Sequence, residues 1–139
     1  MYQFFDHTGD VGADLSGPRL EELFDSAAQA LTDTLTDRTA VREVEEAAVS
    51  LQASSLEDLL VEWLNELVYR FEVHHWLTAG TALKIAGDTA GWRLDGTIAG
   101  ERFDPARHPA RVLVKSATYH GLSVTETPDG WRARIIFDI

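Results

Sequence analysis

Cysteine is absent from this 139-residue chain, and its absence removes several kinds of chemistry. Without it there is no disulfide framework, no thiol nucleophile and no zinc–thiolate site. No apolar run approaches the roughly 18 residues that a membrane-spanning helix needs. The first seven residues lack the basic start and apolar stretch of a signal peptide, so we expect a cytoplasmic protein. An exported protein whose leader is missing from this sequence stays open.

Positive charge is scarce, because 12 Lys and Arg stand against 23 Asp and Glu, for a net charge of −11. This balance argues against direct binding to a nucleic-acid backbone, which requires clustered cations, and against adsorption to an anionic membrane. It leaves open the binding of cations and docking on a basic protein surface. Hydrophobic residues make up 45% of the chain, which is enough for one domain with an ordinary core.

The spacing of apolar residues predicts two amphipathic helices. In residues 56–73 they recur at i, i+3, i+4 and i+7, and Ser54 with Glu57 has the spacing of a capping box. Residues 18–35 form the second helix, with Gly17 and Pro18 at its start. The strand pattern covers residues 11–15, 48–53, 82–86, 92–99, 112–119, 122–127 and 131–139.

Short turns join the late strands and favour antiparallel pairing, as at Pro128-Asp129-Gly130. The expected class is therefore α+β, with two helices packed on a mostly antiparallel β-sheet in a single domain over residues 1–139.

Two acidic residues are the most informative candidates for a site. The strand pattern of residues 131–139 continues to the last residue, which places the carboxylate of Asp138 close to the terminal carboxylate of Ile139. Asp10 opens another strand just after Gly9, where glycine indicates either an unusual backbone angle or a close approach. If the three carboxylates met, they would suit a hard cation such as Ca²⁺ or Mg²⁺. The spacing alone leaves open that each is simply solvated.

The remaining polar candidates have ordinary interpretations. No histidine pair has the H-x-x-x-H spacing of a zinc hydrolase, and His74-His75 fits a polar helix end. Lys115 lies in a β-rich segment, where it is either a guard of an edge strand or a functional cation. Residues 100–104 have the composition of a loop with a solvated ion pair.

Taken together and in order, five short motifs resemble the archease family over essentially the whole chain. They are His7-Thr8-Gly9-Asp10, the segment 56–64 on the long helix, Gly100-Glu101 with Asp104 and His108, the segment 115–120 that begins with Lys115 and ends with His120, and the terminal Phe137-Asp138-Ile139. One departure is Gly9, where the family usually has alanine, and Ser116 is a second, milder one.

The resemblance implies an accessory protein of the RtcB-type RNA ligase that is not itself an enzyme. Such a protein promotes guanylylation of the ligase's active-site histidine and allows multiple turnover in tRNA splicing or RNA repair. The family's metal site maps to Asp10, Asp138 and Ile139 and implies a divalent cation, Ca²⁺ or Mg²⁺/Mn²⁺.

The family's important lysine maps to Lys115, and His7, Glu101 and His120 match motif positions as possible supporting residues. The ligase is then the expected partner, with no direct nucleic-acid or membrane binding. Two alternatives from other classes stay open: a metal-dependent phosphoesterase that uses the same acids, and a non-catalytic protein-binding scaffold.

Overall fold

The computed structural model describes all 139 residues as seven strands, two α-helices and one short 3-10 helix. In chain order the elements are β1 (Tyr2–His7), β2 (Asp10–Gly17), α1 (Leu20–Leu35), the 3-10 helix (Arg38–Ala40), β3 (Glu45–Ala53), α2 (Leu56–His74), β4 (Trp76–Asp88), β5 (Gly91–Arg102), β6 (Ser116–Thr127) and β7 (Gly130–Asp138).

The strands form two sheets in which every pairing is antiparallel. One has four strands in the order β1-β2-β7-β6, and the other has three in the order β3-β5-β4. The predicted α+β class and antiparallel pairing are confirmed, although the strands divide between two sheets. The first and last parts of the chain meet in the four-stranded sheet, because β2 pairs with β7 along its whole length.

A single hydrophobic core joins both sheets to both helices. The apolar stripe of α2 is buried as its spacing predicts, with Trp63 fully enclosed and its indole N–H donating to the backbone oxygen of Phe24 in α1 at 2.9 Å. In β7, Ala133, Ile135 and Phe137 face this core, so Arg134, Ile136 and Asp138 lie on the opposite, outer face of the sheet. Neither helix is long and apolar enough to cross a lipid bilayer.

The start of α1 and the N-cap of α2 differ from the predicted ones, whereas α2 begins at Leu56 as predicted. The N-cap of α2 is Ser55, whose hydroxyl accepts the N–H of Asp58 at 3.1 Å, while the Ser54 hydroxyl donates to the Asp58 carboxylate. Helix α1 was predicted to begin at residue 18 but begins at Leu20, after Arg19, because Gly17 still belongs to β2. Each error is a shift of one or two residues, the range in which neighbouring polar or turn residues offer competing caps.

Three strand predictions also change. Strand β1 was not predicted, because its residues do not alternate between apolar and polar, yet it forms one edge of the four-stranded sheet. Residues 112–115 are not strand, and the two strands predicted between residues 112 and 127 are a single β6 interrupted by an irregularity. Residues 100–102 continue β5 instead of forming a loop.

Candidate functional site

Four residues, one from each strand, form a row across the outer face at one end of the four-stranded sheet. His7 of β1 pairs with Asp10 of β2, Asp10 with Asp138 of β7, and Asp138 with Ser116 of β6. The two acids that the sequence singled out are thus direct cross-strand neighbours, although 127 residues separate them. We call this row, together with the terminal carboxylate of Ile139, the acidic tip.

Like charges directly opposite each other on a sheet are destabilising. The next pair but one on the same face shows the usual solution, because Asp14 faces Arg134 and binds it through two hydrogen bonds of 2.8 and 3.1 Å. Asp138 has no salt-bridge partner, and the only one at Asp10 is His7. The tip therefore holds negative charge that the protein itself does not neutralise with lysine or arginine.

The turn between β1 and β2 sets the position of Asp10. His7 and Asp10 close this hairpin, and the Nδ1 atom of His7 lies 3.2 Å from the Oδ2 atom of Asp10. Gly9 has φ of +74°, a conformation that favours glycine. A Cβ atom at Gly9 would meet nothing within 4 Å, so the unusual backbone angle predicted as one alternative is the reason for glycine here.

A bulge in β6 brings His120 to the tip. Thr118 pairs with Ile136 and Ser123 with Arg134, so residues 119–122 stand opposite a single residue of β7. The rings of His120 and His7 are 5.2 Å apart between centroids, although β6 and β1 are the two edges of a four-stranded sheet and lie about 14 Å apart at ordinary strand spacing. The bulge therefore folds over the outer face and covers one side of the tip.

Lys115 lies immediately before β6 and beside Asp138. Its backbone N–H donates to the backbone oxygen of Asp138 at 2.8 Å, while its side chain is exposed and forms no salt bridge. Lys115 therefore lies one residue before the edge strand β6, at the same end of the sheet as Asp138.

A small hydrophobic layer supports the tip from the next row of the sheet. The ring of Phe5 lies over Gly12, the guanidinium of Arg134 stacks on that ring at 4.3 Å, and Ile136 is 3% exposed beneath the folded-over bulge and its neighbours. Glycine leaves the space for this arrangement, since a Cβ atom at position 12 would lie 2.3 Å from the phenyl ring.

The Gly12→Ala substitution is therefore expected to displace Phe5 and to lower the free energy of unfolding by about 1–3 kcal/mol, the usual cost of overpacking. Urea unfolding followed by tryptophan fluorescence measures this change. The substitution Ser16→Ala, on the same face of β2, is the matched control, and an equal loss of stability in both variants would contradict the proposed role of the ring.

Glu101 does not belong to the tip. It lies at the end of β5 in the other sheet, 6% exposed, and accepts hydrogen bonds from the guanidinium of Arg107, from the backbone N–H of Arg42 at 2.7 Å and from the ring of His108 at 3.0 Å. The predicted solvated ion pair is thus a buried network. Its geometry assigns Glu101 a structural role in closing the loop after β5.

The tautomer of His108 follows from its neighbours. Its Nδ1 atom accepts the backbone N–H of Asp104 at 2.8 Å, so its proton is on Nε2 and points at Glu101. Burial alone would raise the pKa of Glu101, but the bonds from Arg107, Arg42 and His108 outweigh it and lower the pKa to about 2.

The donor set of the tip suits a hard cation by type. Two carboxylates face each other at the end of the ladder, and the terminal carboxylate follows directly after Asp138 while the Ile139 side chain packs against the core. Oxygen donors with excess negative charge are what Ca²⁺ and Mg²⁺ prefer. No group of three or more His, Asp or Glu side chains is arranged to hold a metal, so a cation bound by the two aspartates would need a further oxygen ligand.

This chain is similar to known proteins over nearly its whole length. The model of the Archease protein family matches residues 2–139. An archease of Saccharolobus solfataricus is 37% identical over 139 residues, covering 100% of this chain and 99% of the relative, and one of Methanopyrus kandleri is 33% identical over 138 residues, covering 99% of each.

Two solved structures share the fold. The solution structure of Methanobacterium thermoautotrophicum protein 1598 has a TM-score of 0.80 at 29% identity and covers 99% of this chain and 98% of its own. The crystal structure of a Thermotoga maritima protein, described as an archease and possible chaperone, has a TM-score of 0.66 at 20% identity and covers 100% and 98%.

Proposed function

The chain belongs to the archease family, and from this premise we propose that it is a non-catalytic accessory protein of a GTP-dependent RtcB-type RNA ligase. In this proposal it promotes transfer of GMP from GTP to the ligase's active-site histidine, with release of pyrophosphate, and so restores the ligase for further rounds of joining. The observation that carries the proposal is the pairing of Asp10 with Asp138 at the end of the sheet, beside the chain terminus and Lys115.

The acidic tip is the part of the chain that would act on the ligase. Asp10, Asp138 and the Ile139 carboxylate would hold a divalent cation, and that cation would neutralise phosphate charge during nucleotide transfer. The Lys115 side chain is exposed and forms no salt bridge, so its ammonium group would be free to bind a phosphate or carboxylate of the partner. The bulge that carries His120 limits access to the tip from one side.

The charge of the chain fits a partner with a basic cleft. A net charge of −11 repels RNA itself but attracts a protein surface built for GTP and RNA, which speeds encounter in a salt-dependent way. The RNA substrate then belongs to the ligase, and this chain contacts the ligase.

The proposal predicts that the chain converts the ligase of the same cell from a single-turnover to a multiple-turnover enzyme. The measurement counts RNA ends joined per ligase molecule, with GTP and a divalent cation, in the presence and absence of the chain. Several joined ends per ligase molecule with the chain, against about one without it, is the expected result. Equal counts would contradict the proposal.

One contact favours the phosphoesterase alternative. The imidazole of His7 beside the carboxylate of Asp10, at 3.2 Å, is the pairing that orients a general base. Repeated turnover of a simple phosphate ester by the chain alone, lost in His7→Ala, would support that enzyme and argue against a purely accessory role.

A further inference from the structure

The strand segment that follows Lys115 is weakly attached to its own sheet. β6 is an edge strand, and it pairs with β7 over only Ser116–Thr118 before the bulge breaks the register. The residues before Lys115 are not strand and offer no ladder. Apart from the buried side chain of Val114, the backbone position of Lys115 beside Asp138 therefore depends on a three-residue stretch of pairing and on the contacts that hold the outer edge of that stretch.

Asn65 of α2 holds that outer edge. Its Oδ1 atom accepts the backbone N–H of Ala117 at 2.7 Å, and its Nδ2 group donates to the backbone oxygen of the same residue at 3.3 Å. Alternate residues of an edge strand direct both of their polar groups away from the sheet, and Ala117 is such a residue. The carboxamide thus replaces the missing neighbouring strand at one position.

Only a carboxamide side chain can make this pair of bonds, since it carries a donor and an acceptor side by side. Asparagine is not favoured inside a helix, where alanine would be the better former. The residue is the only asparagine in the chain, and it stands on α2 between the buried positions Leu64 and Leu67. Its placement costs helix propensity and supplies a bond between the helix and the strand.

We infer that Asn65 is a positioning residue that fixes the start of β6 and thereby holds Lys115 beside Asp138. The link has three parts in sequence: the two hydrogen bonds between Asn65 and Ala117, the peptide chain from Ala117 back to Lys115, and the hydrogen bond from the Lys115 N–H to the backbone oxygen of Asp138. The effect of this link on a ligase rests on the function proposed above, whereas the link itself can be tested on the chain alone.

The variant Asn65→Ala removes both side-chain bonds while raising helix propensity. We expect hydrogen exchange at the Ala117 and Lys115 amides to accelerate about tenfold, with exchange in β7 and α2 unchanged. Asn65→Asp keeps an acceptor for the Ala117 N–H and loses the donor, so its Ala117 amide should retain part of the protection. Gln29→Ala is the matched control, because Gln29 bonds only within its own helix.

The second arm measures stimulation of the ligase. Asn65→Ala should lower maximal stimulation to the level of Lys115→Ala, with the concentration for half-maximal effect little changed, and the double variant should be no worse than either single one. A merely structural role would instead give additive losses.

The hydrogen-exchange measurement tests the link between Asn65 and Lys115 independently of any effect on the ligase. Unchanged protection at Lys115 and Ala117 in Asn65→Ala would overturn the inference. Faster exchange with full stimulation would overturn the functional part of it. If the wild-type chain stimulates no ligase, the proposed function fails, and faster exchange in Asn65→Ala still supports the link. Faster exchange combined with non-additive loss of stimulation supports the whole inference.

Discussion

Replacing Glu101 by alanine is expected to lower the free energy of unfolding by about 3–5 kcal/mol near pH 7, the usual cost of breaking a buried ion pair by removing one partner. The side chain of His108 is fully buried, and its Nε2 proton would lose its acceptor, as would the backbone N–H of Arg42. Arg107 is partly exposed and can turn to solvent, which favours the lower end of the range.

The pH dependence of this effect follows from the lowered pKa. Glu101 has a pKa of about 2 in the folded chain against an ordinary value of 4.5, so its contribution to stability is complete above about pH 4.5 and is lost as the pH falls towards 2. The stability difference between wild type and Glu101→Ala should therefore shrink over that window.

Chemical unfolding at several pH values measures this difference. Glu126→Ala is the matched control, because Glu126 is an exposed strand glutamate with no salt bridge. A difference that stays constant from pH 7 down to pH 3 would contradict the assigned ionisation of Glu101.

Removing both tip carboxylates, in the double variant Asp10→Ala/Asp138→Ala, is expected to weaken divalent cation binding by more than about tenfold. Loss of a supporting residue alone costs about 10–100-fold in metal affinity, so loss of two ligands should cost at least as much. Without added cation the variant should be about as stable as wild type, because relief of the repulsion between the facing carboxylates offsets the loss of the His7–Asp10 contact.

Melting temperature as a function of Ca²⁺ or Mg²⁺ concentration gives the measurement. A ligand that binds only the folded state raises the melting temperature with its concentration. Wild type should show this rise, the double variant should not, and Asp129→Ala in the distant hairpin turn should behave as wild type. An equal rise in wild type and the double variant would show that cations bind elsewhere.

The spacing of apolar residues correctly predicted those parts of the fold that depend on a single helix or strand. The apolar spacing of α2 and the two faces of β7 follow from residue periodicity, because each is fixed by the geometry of a single helix or strand. The choice between Ser54 and Ser55 as N-cap was beyond such patterns, since both can accept a hydrogen bond from the first turn and only the backbone conformation decides.

The bulge in β6 shows where local patterns fail. His120 and Gly121 interrupt the β-rich pattern, which predicted two strands, whereas the structure keeps one strand and folds these two residues over the outer face of the sheet. The fold-back is stabilised by contacts that form only in the assembled sheet, namely the ring contact of His120 with His7 and the cover over Ile136. No spacing within the segment carries that information.

The candidate site was predicted in part for the same reason. The carboxylates of Asp138 and Ile139 are neighbours in sequence, but the position of Asp10 opposite Asp138 depends on the register between β2 and β7, which the family resemblance implied and local spacing did not. Glu101 and Asn65 show that a motif match and the position of a residue in the structure need not coincide. Glu101 matched a motif and proved to be a buried structural group, and Asn65 carried no motif signal although it bonds the strand beside Lys115.

Transfer of labelled GMP from GTP to the ligase of the same cell gives the most direct test of the role of the acidic tip. The rate is compared with no added chain, with wild type, with Asp10→Ala/Asp138→Ala, and with Asp129→Ala as a control that removes a carboxylate distant from the tip. Wild type and Asp129→Ala are expected to accelerate labelling equally, and the double variant, though folded, is expected not to accelerate it. Equal acceleration by the folded double variant would contradict the claim that the acidic tip is the surface that acts on the ligase.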